Sequence, residues 1–334
     1  MFRRLFNLLL VLAALSMMSS KQFSFDSFVQ AKLATSGVFL LPYNAVTSTP
    51  TISPIDAMEA KATKVVVAPL QELRQLHNND LQAVLEETLN AHPVWRKLLR
   101  NQRMSVGIVN LAKETEVKYA AVNGQHMMYA ASLPKIAVLA AAHDAIERGE
   151  LQESADVRRD MRLMIAKSNN AATTRMIDRL GFTKIERTMT SPSLKLYDPA
   201  FGGGLWVGKR YAAGGKRHPD PIKGISHAAT AEQVCRYFYK LVNNDLISPA
   251  SSEKMKSYLV NPELHHKFVN TLDQVAPDAT VYRKSGSWKT FHADVALVQG
   301  PQRNYIITAL IQDPKGEEIC RELAKVLDGL LAEA

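Results

Sequence analysis

The stretch Tyr129-Ala130-Ala131-Ser132-Leu133-Pro134-Lys135-Ile136-Ala137-Val138-Leu139-Ala140-Ala141-Ala142-His143 decides how this chain is read. Its apolar, alanine-rich course predicts a helix from about Ser132 to Arg148, stopped by Gly149. Ser132 would open that helix, and Lys135 would lie one turn on, along the same face. A serine hydroxyl is a weak nucleophile until a base takes its proton. A lysine is such a base once burial and nearby cations lower its pKa. The N–H groups at a helix start also favour developing negative charge. Alone, the pattern equally fits a serine cap beside an exposed lysine, so the rest of the chain must decide.

Two further stretches carry matching chemistry. Ser168-Asn169-Asn170 breaks a helical run, offering a second hydroxyl to relay a proton and an amide to hold a carbonyl. Lys284-Ser285-Gly286-Ser287-Trp288 ends a short strand that starts at Val281. A lysine and a serine there suit a substrate carboxylate. Gly286 allows close approach to the backbone. Read structurally, the first of these is a loop between helices and the second a basic edge strand.

In this order the three motifs resemble the S-x-x-K, S-x-N and K-[ST]-G signatures of the penicillin-recognising serine hydrolases, the class A β-lactamases and DD-peptidases. Leu163-Met164-Ile165-Ala166-Lys167 before the second motif, Arg179-Leu180-Gly181 after it, Thr230-Ala231-Glu232-Gln233-Val234 and Ile247-Ser248-Pro249-Ala250-Ser251-Ser252 extend the likeness to the class A pattern. It spans roughly residues 69–334. The resemblance implies an α+β fold, with an antiparallel sheet flanked by helices, an all-helical subdomain and a site at their junction. It implies that Ser132 is acylated, that Lys135 takes or relays its proton, and that Ser168 passes a proton to the leaving nitrogen. Asn170 would orient substrate and lysine, and Lys284 and Ser285 would hold a carboxylate beside Gly286. The N–H groups of Ser132 and Ser287 would form the oxyanion hole.

The class A glutamate that activates water after the second motif has no counterpart here. Glu186 is the one glutamate between Ser168 and Thr230 and falls on a predicted helix. Asp198, in Leu196-Tyr197-Asp198-Pro199, is the candidate substitute; its structural alternative is to cap a turn before Pro199. The segment between the first two motifs is short for the class, which implies a trimmed helical subdomain.

Around these motifs, apolar spacing predicts an amphipathic helix over residues 70–89 and strands over 104–111 and 117–122, with Asn123-Gly124 as a turn. Helical segments are expected over 161–180 and 230–243. A long loop covers 191–226, strands 281–284, 293–298 and 305–311, and a last helix 317–331. Loops as long as 191–226 are usually functional. Gly203-Gly204-Leu205-Trp206-Val207-Gly208-Lys209-Arg210 superficially matches a phosphate loop but has Arg210 where a Ser or Thr belongs; it reads better as a wall of the cleft.

Arg3-Arg4 followed by an apolar run to Leu15, with small residues at Ala14-Leu15-Ser16, reads as a secretory signal over residues 1–20. A turn-rich leader or linker then fills 21–68 and the catalytic domain 69–334. The protein is therefore expected to be exported, periplasmic or secreted, without a membrane span after signal cleavage. Its net charge of +9 is spread along the chain with no dense basic run or aromatic stripe, which argues against nucleic acid as a partner. Cys235 and Cys320 lack metal-type spacing and are expected to be unpaired core residues on helices. His265-His266 and His292 form no ligand motif, so neither metal nor cofactor is expected. The expectation is a monomer acting on a β-lactam or a peptidoglycan peptide. A β-lactamase leads; a D-Ala-D-Ala carboxypeptidase or endopeptidase, and a penicillin-binding protein without turnover, are the alternatives.

Overall fold

The computed structural model describes residues 70–111 and 116–332. Contacts divide the chain into residues 1–66 and 67–334, and the described residues all belong to the second unit. The signal and linker expected over 1–68 lie outside them.

The chain enters through a 3-10 turn, Leu73–Leu76, and helix α1, Asn79–Ala91, capped by Asn78, whose side chain accepts from Leu81 N. The single helix expected over 70–89 is thus two elements. Apolar spacing runs through both, but the Asn78 cap restarts the hydrogen-bond ladder. Helix α2, Pro93–Arg100, leads into β1, Met104–Asn110, and β2, Lys118–Val122. Short β3, Met128–Tyr129, precedes α3, Lys135–Glu147. Helices α4, Ala155–Ala166, α5, Asn170–Leu180, and α6, Phe182–Thr190, follow in close succession. The region expected as one loop holds three two-residue strands, β4, Tyr197–Asp198, β5, Gly203–Gly204, and β6, Trp206–Val207, and β7, His227–Ala229, follows just past its end. Helices α7, Ala231–Val242, α8, Pro249–Leu259, and α9, Phe268–Val275, precede β8, Thr280–Trp288, β9, Phe291–Gly300, β10, Arg303–Gln312, and α10, Gly316–Leu331.

The main sheet is antiparallel in the order β2-β1-β10-β9-β8. Both faces are covered, so its strands are apolar on both sides. Val295, Leu297, Ile306 and Leu310 face one core, with α3 and α7. Ala296, Val298, Ile307 and Ile311 alternate to the other, with Trp95 of α2, Phe268 of α9 and Leu323 of α10. Gly107 lets α7 pass close to β1, since a Cβ there would meet Cys235 Sγ at 2.9 Å. Helix α3 is buried along nearly its whole length, from Lys135 to Ala145. A helix apolar on all sides belongs inside, so α3 sits centrally among the helices with its N-terminus toward the sheet-edge motif. The result is the expected α+β arrangement of sheet and helical block. Cys235 and Cys320 are buried and unbridged, and burial pushes both thiols up to about 12. No described helix is long and apolar enough to cross a membrane.

Candidate active site

Ser132 lies in the turn that enters α3, three residues earlier than the helix itself. Pro134 is the N-cap and Lys135 the first helical residue. The turn is made by Ala131, whose φ of 51° is left-handed, and by Leu133 N donating to Ala130 O. Lys135 N donates to Ser132 O at 3.3 Å, so a 3-10-type turn rather than a turn of α-helix joins the two residues. The Lys135 ammonium donates to Ser168 O at 2.6 Å, Asn170 Oδ1 at 2.8 Å and Ser168 Oγ at 3.3 Å. None of its hydrogen bonds goes to Ser132. Lys135 is 0% exposed, and burial lowers its pKa to about 7.

Ser168-Asn169-Asn170 is a junction between two helices, and its backbone explains its geometry. Helix α4 ends with Ser168 at φ 52°, while Asn169 N returns to Leu163 O at 3.0 Å. A left-handed residue after the last turn is a common helix stop. Asn169 at once caps α5, accepting from Ala172 N at 2.8 Å. The two helices are tied by buried Asp160, which accepts from Arg175 on both oxygens and from Arg179 at 2.6 Å. The junction thereby presents the Ser168 carbonyl and hydroxyl and the Asn170 amide to one lysine.

Lys284 comes from the opposite side. Its ammonium donates to Ser168 Oγ at 2.9 Å and to Ser285 O at 2.7 Å. Ser168 Oγ thus accepts from two buried lysines. Burial first, and then Lys135, hold Lys284 well below the usual lysine range. The strand carrying it is longer than the expected 281–284, and Lys284, Ser285, Gly286, Ser287 and Trp288 form its C-terminal end. Gly286 packs against the Ser132 turn: a Cβ there would lie 2.2 Å from Ala130 O, 2.6 Å from Ser132 N and 2.7 Å from Leu133 N. Ser285 is buried, whereas Ser287 is exposed and pairs with His292 across the hairpin. Among the described residues no acceptor takes the Ser132 N–H.

Asp198 is engaged elsewhere. It accepts from Ala200 N at 3.1 Å, capping the 3-10 turn Pro199–Phe201, and lies 3.8 Å from Arg74. None of its polar contacts is to Ser132, Lys135, Ser168 or Asn170. Glu186 lies on α6 and pairs with His218 at 2.7 Å.

Three further groups support the site and had no clear signature in the sequence. Tyr211 spans the two halves of the first motif: its ring lies 4.6 Å from Lys135 Nζ, and its hydroxyl donates to Ala131 O at 3.0 Å. The signal for it was its place in the long loop, beside the glycine-rich stretch. Lys267, fully buried, donates to Gly286 O at 2.5 Å and Ala293 O at 3.1 Å, holding β8 from behind. Arg283 pairs with buried Asp294 through two hydrogen bonds, at 2.7 and 2.8 Å, and also donates to Leu264 O and His266 O. Four cations converge on β8 around a hydroxyl and a strand edge. The arrangement favours a neutral lysine beside Ser132 and an anionic group near Lys284.

Comparison with known proteins agrees with this geometry. The sequence model of the beta-lactamase enzyme family matches residues 90–163 and 153–329. No curated protein matches significantly. Among solved structures, a β-lactamase from Sphaerobacter thermophilus is 16% identical with a TM-score of 0.56, covering 75% of this chain and 97% of its own. A β-lactamase from Xanthomonas campestris pv. campestris is 13% identical with a TM-score of 0.59, covering 75% and 99%. A mutant of PBP-A, solved as an acyl-enzyme complex with penicillin G, is 19% identical with a TM-score of 0.56, covering 78% and 98%. At these identities the structures share the fold.

Proposed function

The chain belongs to the beta-lactamase enzyme family, and on that premise we propose that it is an exported serine amide hydrolase that opens β-lactams through an acyl-enzyme on Ser132. The observation that carries this reading is the setting of Lys135, buried, with a pKa lowered to about 7 and held by Ser168 and Asn170. Near neutral pH a good fraction of it is unprotonated. It takes the Ser132 proton as Oγ attacks the carbonyl. The N–H groups of Ser132 and Ser287 receive the developing oxyanion. As the C–N bond breaks, the proton passes from Lys135 through Ser168 Oγ, 3.3 Å away, to the leaving nitrogen. Lys284 and Ser285 hold the substrate carboxylate, and Gly286 lets the Ser132 turn close on the strand that carries them. Export rests on the basic, apolar N-terminal segment from Arg3 to Leu15.

A second reading shares the acylation and differs in release. Among the described residues, no carboxylate hydrogen-bonds Lys135, Ser168 or Asn170, and the Tyr211 ring lies beside the lysine. That favours a slowly cleared adduct, as in a D-Ala-D-Ala carboxypeptidase or endopeptidase, or a penicillin-binding protein without turnover. Asp198, capping its own turn, has no contact that would aim water at the ester. A chromogenic cephalosporin and a fluorescent penicillin separate the two. Rapid turnover of the first supports the β-lactamase, and a stable label without turnover supports the second reading. D-alanine release from a peptide ending in D-Ala-D-Ala then identifies a peptidase. Neither turnover nor label would contradict both.

A further inference from the structure

Beyond Asn170 the site opens into a cleft of about 860 Å³, which Lys284 and Ser285 do not line. Its walls are aromatic. Tyr129 comes from β3 and Tyr211 from the long loop, and Trp288 and Phe291 from the β8–β9 hairpin. Tyr129 meets Phe291 edge-on at 5.3 Å, and Tyr211 lies 4.2 Å from the His227 ring. Trp288 is 58% exposed, a large apolar side chain left at the mouth. Aromatic surface in that position is suited to flat or ringed groups.

The charge of the cleft is one-sided. Lys209, Arg210 and Arg217 line it, and no aspartate or glutamate does. Arg210 is paired with Asp178. Lys209 and Arg217 have no ion-pair partner among the described residues. Their charge is thus free to act on whatever enters. His227, also in the wall, is pushed down to about 4 by burial and adds no charge near neutral pH.

We propose that this cleft is the subsite for the acyl side of the substrate, and that it selects acyl groups combining a ring with a negative charge. The inference rests on the Ser132 acyl-enzyme reading and adds the substrate class to it. The carboxylate on the leaving-nitrogen side goes to Lys284 and Ser285. The acyl side runs past Asn170 between Tyr211 and Trp288, where Lys209 and Arg217 meet its anion.

Three penicillins test this, with arylacetyl side chains identical but for an α-carboxylate, an α-hydrogen or an α-ammonium. The second-order rate of adduct formation is followed by intact mass, below the α-amino pKa range so that the ammonium stays charged. The expected order is carboxylate, hydrogen, ammonium, with about tenfold between the extremes at low ionic strength, narrowing as salt is added. In the Lys209→Ala/Arg217→Ala double variant the spread should shrink to about twofold or less, with a circular dichroism spectrum like the parent's showing that the variant is folded. Equal rates, or a faster ammonium compound, with an adduct still at Ser132 would overturn the subsite and leave the acyl-enzyme intact. Neither an adduct in rapidly quenched samples nor turnover with any of the three would overturn both.

Discussion

A single ammonium group ties the site together. Lys135, itself fully buried, is the first residue of a largely buried helix, so its charge has no water to relieve it, and its three acceptors come from one helix junction. Below about 7 it is protonated and cannot take the Ser132 proton; above, it is free. The acylation rate should therefore fall about tenfold for each pH unit below the inflection and level off above it. Lys135→Arg keeps the charge, but a guanidinium does not deprotonate. That variant should lose about 10²- to 10⁴-fold in rate and the inflection with it. A parent profile flat between pH values either side of 7 would remove Lys135 as the base. The residue identities of the three motifs were legible because each reaction step needs a particular functional group at a fixed spacing. Tyr211 was not, because a loop has no period and a ring above a lysine leaves no mark on neighbouring residues.

At the scale of elements, the site is three ends meeting: the entry to α3, the α4–α5 junction and the C-terminal end of β8. Helix starts were the least legible part. Pro134 and the left-handed Ala131 delay α3, so Ser132, expected to open the helix, lies in a 3-10-type turn that ends at Lys135. The third motif ends its strand as expected, but the strand is longer than 281–284, because Ser285 to Trp288 continue the ladder to Phe291. Gly286 shows what that continuity does. All three nearest atoms to a Cβ there are backbone of the nucleophile turn, which cannot swing aside as a side chain would. Gly286→Ala should leave the fold, read by circular dichroism, unchanged, yet cut the acylation rate at least about 100-fold by displacing the turn. Near-parent rates would mean that β8 does not set the position of Ser132.

Over the whole molecule, the sheet stands between two cores, and the active-site edge is held by buried polar pairs as well as apolar contact. The alternation of apolar residues on β9 and β10 made the sheet legible, and the all-round apolar sequence of α3 made its burial legible. The Arg283–Asp294 pair was not, since partners eleven residues apart find each other only through strand register. Asp294→Ala would leave Arg283 buried without its carboxylate and Phe268 N without its acceptor. Removing one partner of a buried pair costs about 3–5 kcal/mol, to be read as a lowered denaturant midpoint. No change in midpoint would show that the pair contributes nothing net. The central claim is narrower, that this fold exists to acylate one serine, and the intact mass of the protein after exposure to penicillin tests it most directly. The account predicts a gain of one whole penicillin, caught by rapid quenching where the ester turns over, carried by the peptide containing Ser132 and absent from Ser132→Ala. A protein of unchanged mass and no turnover, or an adduct that persists in Ser132→Ala, would contradict it.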